Sequence, residues 1–327
     1  MSSYTCQVPN EVVEAIAGGQ TFLLAAHVGL DGDHLGSMLA LGRALRQAGK
    51  SVSCYLPETV PENYHFMPDL DLLDATIPAD REFDTLITLE CPDVQRLPEG
   101  VSIPDFQARG IKVVNLDHHP DNEFYGDIQW VEPEAGALGE MIFDLLGVLK
   151  YPLDKEIATA IYTAIITDTG SFQYSRVTTN THLKLAELLR FGLPTDDIAR
   201  MLFRETRPSV VKLLGSVLSR VQVTDDGLLA YAELPLEELA ELQVNDSETR
   251  FFIDDIDRVK GPEVVAIFRE MPESRVKVSL RSRKAAINHV AAQFGGGGHP
   301  MAAGCVVKGS LDSVRDRVVS AVISSLS

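Results

Sequence analysis

The first half of the chain alternates short apolar runs with helical periodicity, and this alternation restricts the fold more than any other feature. The runs at 22–26, 51–56, 85–89 and 112–116 have the length and composition of buried strands. Between the first two, Met38, Leu41, Leu45 and Ala48 fall on one helical face, and Gly49 supplies a stop. Strand–helix–strand units of this kind predict an α/β fold, a mostly parallel sheet flanked by helices, with ligands held at the carboxyl ends of the strands. From 135 to 218 the pattern turns helical, with Ile157, Ile161, Ala164 and Ile165 at helical spacing and Pro194 and Pro208 as punctuation. Strands are expected again at 228–232, 263–268 and 276–280, interleaved with helices at 235–242 and 310–325, a second and smaller α/β unit. The expected organisation is a first domain over 1–204, a linker over 205–222 and a second domain over 223–327.

A length of 327 residues suits two such domains. Residues 1–14 lack a basic stretch followed by an apolar run, and no later apolar segment is long enough to span a bilayer. The expectation is a cytoplasmic protein without a membrane partner. Cys6, Cys54, Cys91 and Cys305 are scattered without C-x-x-C spacing, which suits a reducing compartment and argues against a disulfide framework or structural zinc. The net charge of -18 argues against long DNA or RNA, whose tight binding needs a basic surface that releases counterions. A small phosphate-bearing ligand stays open, because local arginines and metal ions reverse the field within one cleft.

Chemistry-bearing residues stand at the expected strand ends. His27, Asp31 and Asp33 follow the first strand, Glu90 ends the third, and Asp117-His118-His119 follows the fourth. Asp168 closes a helix and precedes Thr169-Gly170. Mixed imidazole and carboxylate donors without a thiolate favour a hard octahedral ion such as Mn²⁺ over tetrahedral zinc. Asp31, Asp33, Glu90 and Asp168 together carry four negative charges, which two divalent ions would cancel. Taken singly, each motif has an ordinary explanation. Asp31 and Asp33 suit helix capping and turns, the glycines at 295–298 suit a flexible loop, and Arg281 and Arg283 suit a solvated strand edge. Cys91 beside Glu90 reads better as a small buried thiol than as a nucleophile. Phe172 and Tyr174 suit core packing as well as base stacking.

Taken together, His27, Asp31 and Asp33, then Glu90, then Asp117-His118-His119, then Asp168-Thr169-Gly170 resemble the four motifs of the DHH phosphoesterase superfamily. Gly295 to His299 with Ala302, Ala303 and Gly304 resemble the DHHA1 signature. The layout is most similar to the nanoRNase and 3′-phosphoadenosine-5′-phosphate phosphatase group. The resemblance implies that His27 and Asp31 hold one Mn²⁺, that Asp33, His118 and Asp168 hold a second, and that Glu90 bridges them, with Mg²⁺ or Co²⁺ as substitutes. It further implies that His119 meets the scissile phosphate or protonates the leaving oxygen, and that Asp117 orients a histidine. Gly296, Gly297 and Gly298 with His299, Arg281 and Arg283 would hold the rest of a short oligoribonucleotide or small nucleotide. A homodimer is implied as well. The chain departs from the family's usual pattern at Glu90 (Asp), Leu30 (Pro) and His34 (a small residue). Two competing functions are an inorganic pyrophosphatase and a nucleotide-binding sensor that has lost catalysis.

Overall fold

The computed structural model describes residues 7–326, so Cys6 lies outside the described residues. The chain divides into two compact units, one ending at Glu205 and the other beginning at Thr206. The first contains strands β1 (Thr21–Ala26), β2 (Ser51–Tyr55), β3 (Leu73–Asp74), β4 (Thr85–Leu89), β5 (Lys112–Asp117) and β6 (Ile128–Val131). They form one sheet in the order β3-β2-β1-β4-β5-β6, with every pairing parallel. Leu23, Leu24, Leu86, Ile87, Val113 and Val114 are fully buried, as expected for strands covered on both faces. The chain runs outward from β1 through β2 to β3, then returns to add β4, β5 and β6 on the other side. The β1–β4 junction is thus a topological switch point, the position at which open α/β sheets hold their ligands.

Three helices meet over this junction. The helix Gly32–Gln47 follows β1 directly and lies against the helices Leu138–Leu149 and Lys155–Asp168. Glycine permits the close approach. A Cβ at Gly36 would stand 2.4 Å from the Ala160 carbonyl oxygen, and one at Gly139 would stand 2.6 Å from Ala164 Cβ. This packing brings Asp168, the last residue of its helix, and Asp33, in the first turn of its own, to the same end of the sheet.

The second unit contains β7 (Gln222–Val223), β8 (Leu229–Leu234), β9 (Val264–Met271), β10 (Arg275–Ser282), β11 (Gly297–His299) and β12 (Ala302–Lys308), in the order β11-β12-β10-β9-β8-β7. Only β8 and β9 pair in parallel among them. One face packs Val276, Val278 and Leu280 against Val314, Val318 and Val322 of the helix Leu311–Leu326. The other packs Ala230, Ala232 and Ile267 against Val210, Leu213 and Val217 of the helix Pro208–Ser219, which occupies much of the stretch expected as linker. Part of the glycine run, which taken singly suits a flexible loop, is strand: Gly297, Gly298 and His299 pair with Gly304, Ala303 and Ala302. The reason is steric, because a Cβ at Gly296 would stand 2.1 Å from the Gly304 carbonyl oxygen. Among the described residues, no helix is long and apolar enough to cross a membrane.

Candidate metal centre

The loop after β1 sets the first two donors. Asp31 caps the helix Gly32–Gln47, its Oδ1 accepting from the His34 amide at 2.9 Å, so one oxygen satisfies the helix start. The other, Oδ2, lies 3.7 Å from His27 Nε2. His27 Nδ1 stands 2.8 Å from the Val28 carbonyl oxygen, which makes Nδ1 the donor and leaves the Nε2 lone pair facing Asp31. Glu58 pins the loop by accepting from the Gly29 and Leu30 amides at 2.6 and 3.1 Å. His34 is buried, its ring 5.2 Å from that of His27.

His118 repeats this arrangement at the end of β5. Its Nδ1 lies 3.1 Å from the Ala135 carbonyl, while Nε2 faces Glu90 Oε1 at 3.3 Å, Asp168 Oδ2 at 3.5 Å and Asp33 Oδ2 at 3.8 Å. Burial pushes the His118 pKa down, although three carboxylates face its Nε2. Asp33 accepts from the Leu138 and Gly139 amides at 2.5 and 2.9 Å and from Ser37 Oγ at 3.0 Å. Even so, burial, then Asp168 and Asp31, raise its pKa well above the ordinary range. Glu90 is raised by burial and by Asp33, Asp31 and Asp168, and Asp168 by burial and Asp31. Glu90 Oε2 is buried and has no hydrogen-bond partner.

Two donor groups result within the first unit, Asp33–Glu90–His118–Asp168 and His27–Asp31–Glu90, with the ligand atoms of each group within 4.8 Å of one another. Glu90 belongs to both. Converging lone pairs, an orphaned carboxylate oxygen and carboxylates that repel one another fit a cation and little else.

Beside these groups, Asp117 accepts from the His118 and His119 amides, from Asn122 Nδ2 at 2.5 Å and from His119 Nδ1 at 2.7 Å. Although burial alone would raise its pKa, the hydrogen bonds from His119 and Asn122 hold it below the usual value. Asp117 therefore stays ionised and fixes the orientation of His119.

Comparison with known proteins agrees with this geometry. The DHH family, N-terminal domain, matches residues 21–165, and the DHHA1 domain matches residues 227–326. The bifunctional oligoribonuclease and PAP phosphatase NrnA of Thermus thermophilus is 36% identical over 319 residues, covering 97% of this chain and 93% of the relative. The chain belongs to the DHH family. NrnA of Bacillus subtilis is 27% identical over 307 residues, covering 91% of this chain and 92% of its own. The crystal structure of an exopolyphosphatase-related protein from Bacteroides fragilis superposes with a TM-score of 0.86 at 27% identity, covering 96% of this chain and 95% of the other. DHH phosphoesterases depend on metal, and the two donor groups lie in the matched domain or directly behind it.

In the DHHA1 domain, Arg281 lies on β10 with Nη1 donating to the Leu280 carbonyl at 3.2 Å and Nε 3.9 Å from Asp254 Oδ1. The Arg283 guanidinium is committed to the Asp257 and Val259 carbonyls, both at 2.8 Å. Cys91, next to Glu90, is fully buried, and burial pushes its thiol up to about 11, which removes it as a nucleophile. Phe172 packs against the core of the DHH domain, whereas Tyr174 is exposed. Several contributors escape a sequence reading: the Ala135 carbonyl, Asn122, Glu58, and Arg176, whose Nη1 stands 3.4 Å from His118 Nδ1. Asn122 alone carried a signal, an amide five residues after Asp117 in the same loop.

Proposed function

We propose that this protein is a two-metal phosphoesterase that hydrolyses short oligoribonucleotides and 3′-phosphoadenosine-5′-phosphate. The observation that carries the reading is the pair of donor groups sharing Glu90 beside the Asp117–His119 couple. His27 and Asp31 would hold one ion, Asp33, His118 and Asp168 the other, and Glu90 both. The donors, imidazole and carboxylate without thiolate, support Mn²⁺, with Mg²⁺ or Co²⁺ as substitutes. Such ions supply Lewis acidity at the phosphoryl oxygens and lower the pKa of water.

The chain's own residues do the rest. Asp117, held ionised, accepts from His119 Nδ1 and fixes the ring, which leaves Nε2 to meet the phosphoryl group or deliver a proton to the leaving oxygen. Arg281 and His299, with the amides around Gly296, Gly297 and Gly298, form the candidate holding surface for the non-scissile nucleoside, while Arg283 braces main-chain carbonyls. The net charge of -18 supports short substrates over long strands. A homodimer and a cytoplasmic location belong to the same reading, supported by family membership and by the free, buried thiols Cys54, Cys91 and Cys305.

The test is a hydrolysis panel in Mn²⁺ comprising pApA, a five-mer RNA, a long RNA, 3′-phosphoadenosine-5′-phosphate, cyclic di-AMP and pyrophosphate, with the Asp117→Ala/His118→Ala double variant as blank. Turnover of the dinucleotide and of 3′-phosphoadenosine-5′-phosphate by the wild type alone is expected. Preferred turnover of pyrophosphate or of the long strand would overturn the substrate class, and nucleotide binding without turnover would make the protein a sensor.

A further inference from the structure

Glu90 is the one residue common to both donor groups, yet its backbone is out of register with the strand that delivers it. Its φ of 53° lies in the left-handed region, which a residue with a side chain seldom occupies. The consequence is visible in the neighbouring side chains. Leu86 and Cys91 belong to the same apolar cluster although they stand five positions apart, an odd interval that strand alternation would send to opposite faces. The left-handed residue breaks the alternation, turning Cys91 under the sheet and the Glu90 carboxylate toward His118.

A buried polar cluster holds this turn. The Cys91 carbonyl accepts from Tyr125 Oη at 2.8 Å and from Asn115 Nδ2 at 3.3 Å. Both groups also reach Thr88 Oγ1 at 3.0 Å, and Asn115 Nδ2 lies 3.0 Å from Tyr125 Oη. The Glu90 amide meanwhile donates to the Leu116 carbonyl at 2.9 Å, which keeps the last ladder bond to β5. Two side chains, from β5 and the segment before β6, thus converge on the Cys91 carbonyl, and Thr88 of β4 ties them together. Unfavourable backbone conformations persist only where the surroundings over-determine them, and they gather where function needs them.

We propose that Tyr125 and Asn115 are positioning residues, whose hydrogen bonds to the Cys91 carbonyl hold the left-handed turn and so aim the Glu90 carboxylate between the two donor groups. The proposal rests on the two-metal reading of the site. Neither residue supplies a ligand atom to either donor group. Their effect passes through the backbone, as with other outer partners of metal ligands, whose loss typically weakens metal binding or activity by about 10- to 100-fold.

The experiment is titration of the metal-free full chain with Mn²⁺ by calorimetry, joined to electron paramagnetic resonance of the loaded protein, for wild type, Tyr125→Phe and Tyr55→Phe. Tyr55 is the matched control, since its hydroxyl donates to the Glu99 carbonyl at 2.7 Å rather than to the Cys91 carbonyl. Tyr125→Phe is expected to weaken uptake of the ion pair by about 10- to 100-fold and to diminish the spin-coupled Mn²⁺–Mn²⁺ signal. Tyr55→Phe is expected to match the wild type in both. Wild-type affinity and coupling in Tyr125→Phe, or an equal loss in Tyr55→Phe, would overturn the positioning role. Failure of the wild type itself to take up two ions would sink the two-metal reading instead, so the two failures are distinguishable.

Discussion

Two buried acidic clusters of the DHH domain answer the same electrostatic problem in opposite ways. Glu140 and Asp144, on the helix Leu138–Leu149, receive the Lys184 ammonium at 3.4 and 2.8 Å, with Thr181 Oγ1 donating to Glu140 at 2.8 Å. Asp33, Glu90 and Asp168 instead converge on the Nε2 of an imidazole whose pKa burial pushes down, and their own pKa values are pushed up. The first cluster carries its cation in the sequence. The second is arranged for a cation that the chain does not encode. A buried ion pair supplied from within is a structural element, whereas a concentration of buried carboxylates facing lone pairs keeps its cost until an ion arrives. The same helix joins the two, because its first amides, those of Leu138 and Gly139, hold Asp33.

The sharpest way to break this contrast is Glu90→Gln. Hydrolysis of pApA in Mn²⁺ is expected to fall by roughly 10⁴-fold, about 5.5 kcal/mol of transition-state stabilisation. The metal-free variant should gain about 1–2 kcal/mol in urea unfolding, because one of several mutually repelling carboxylates has gone. A less stable metal-free variant would mean that Glu90 was already compensated, and the two clusters would then be alike.

Lys184→Met tests the other side. Removing the ammonium strands Glu140 and Asp144 in a buried setting, and a loss of about 3–5 kcal/mol is expected by denaturant unfolding. The folded fraction should still take up Mn²⁺ with wild-type stoichiometry by calorimetry. If stability were unchanged, the Lys184 cluster would be as uncompensated as the metal centre.

Much of this was legible in the chain, and the reasons are particular. Strands β1, β2, β4 and β5 are visible as apolar runs because both faces of a parallel sheet are covered, whereas β3 is two residues long and β6 mixes Gln129 with its apolar neighbours. The donors stood out because imidazoles and carboxylates recur where such runs end, and the structure brings them into two groups. What sequence could not carry is the backbone path. The Ala135 carbonyl that orients His118 comes from a loop 17 residues away, and the left-handed turn at Glu90 follows from Tyr125 and Asn115, which look like ordinary strand and loop residues. Arg281 and Arg283 differ for the same reason: Arg281 donates to one main-chain carbonyl, its own neighbour's, whereas Arg283 donates to two carbonyls of another segment and also lies 3.5 Å from the Asp257 carboxylate. Glycines 296 to 298 also suit a loop when read alone, because a glycine run hides the close approach of β12 that demands it.

The smallest effect concerns protons, and it separates the clusters without any substitution. Asp33, Glu90 and Asp168 have raised pKa values in the metal-free fold, so between the ordinary carboxylate range and those raised values the folded state binds more protons than the unfolded chain. Their effect on metal-free stability must therefore turn unfavourable as pH rises through that window. Asp117 runs the other way: its depressed pKa contributes stability above the ordinary range, lost as pH falls through its lowered value. Mn²⁺ has to displace the protons held by the raised carboxylates, so affinity should weaken as pH is lowered from about 8 to about 5, with net proton release on binding. Calorimetry in two buffers of different ionisation enthalpy measures that release. A pH-independent affinity with no proton released would place the ion away from these carboxylates, since groups that hold protons through burial and mutual repulsion cannot accept a divalent ion and keep them.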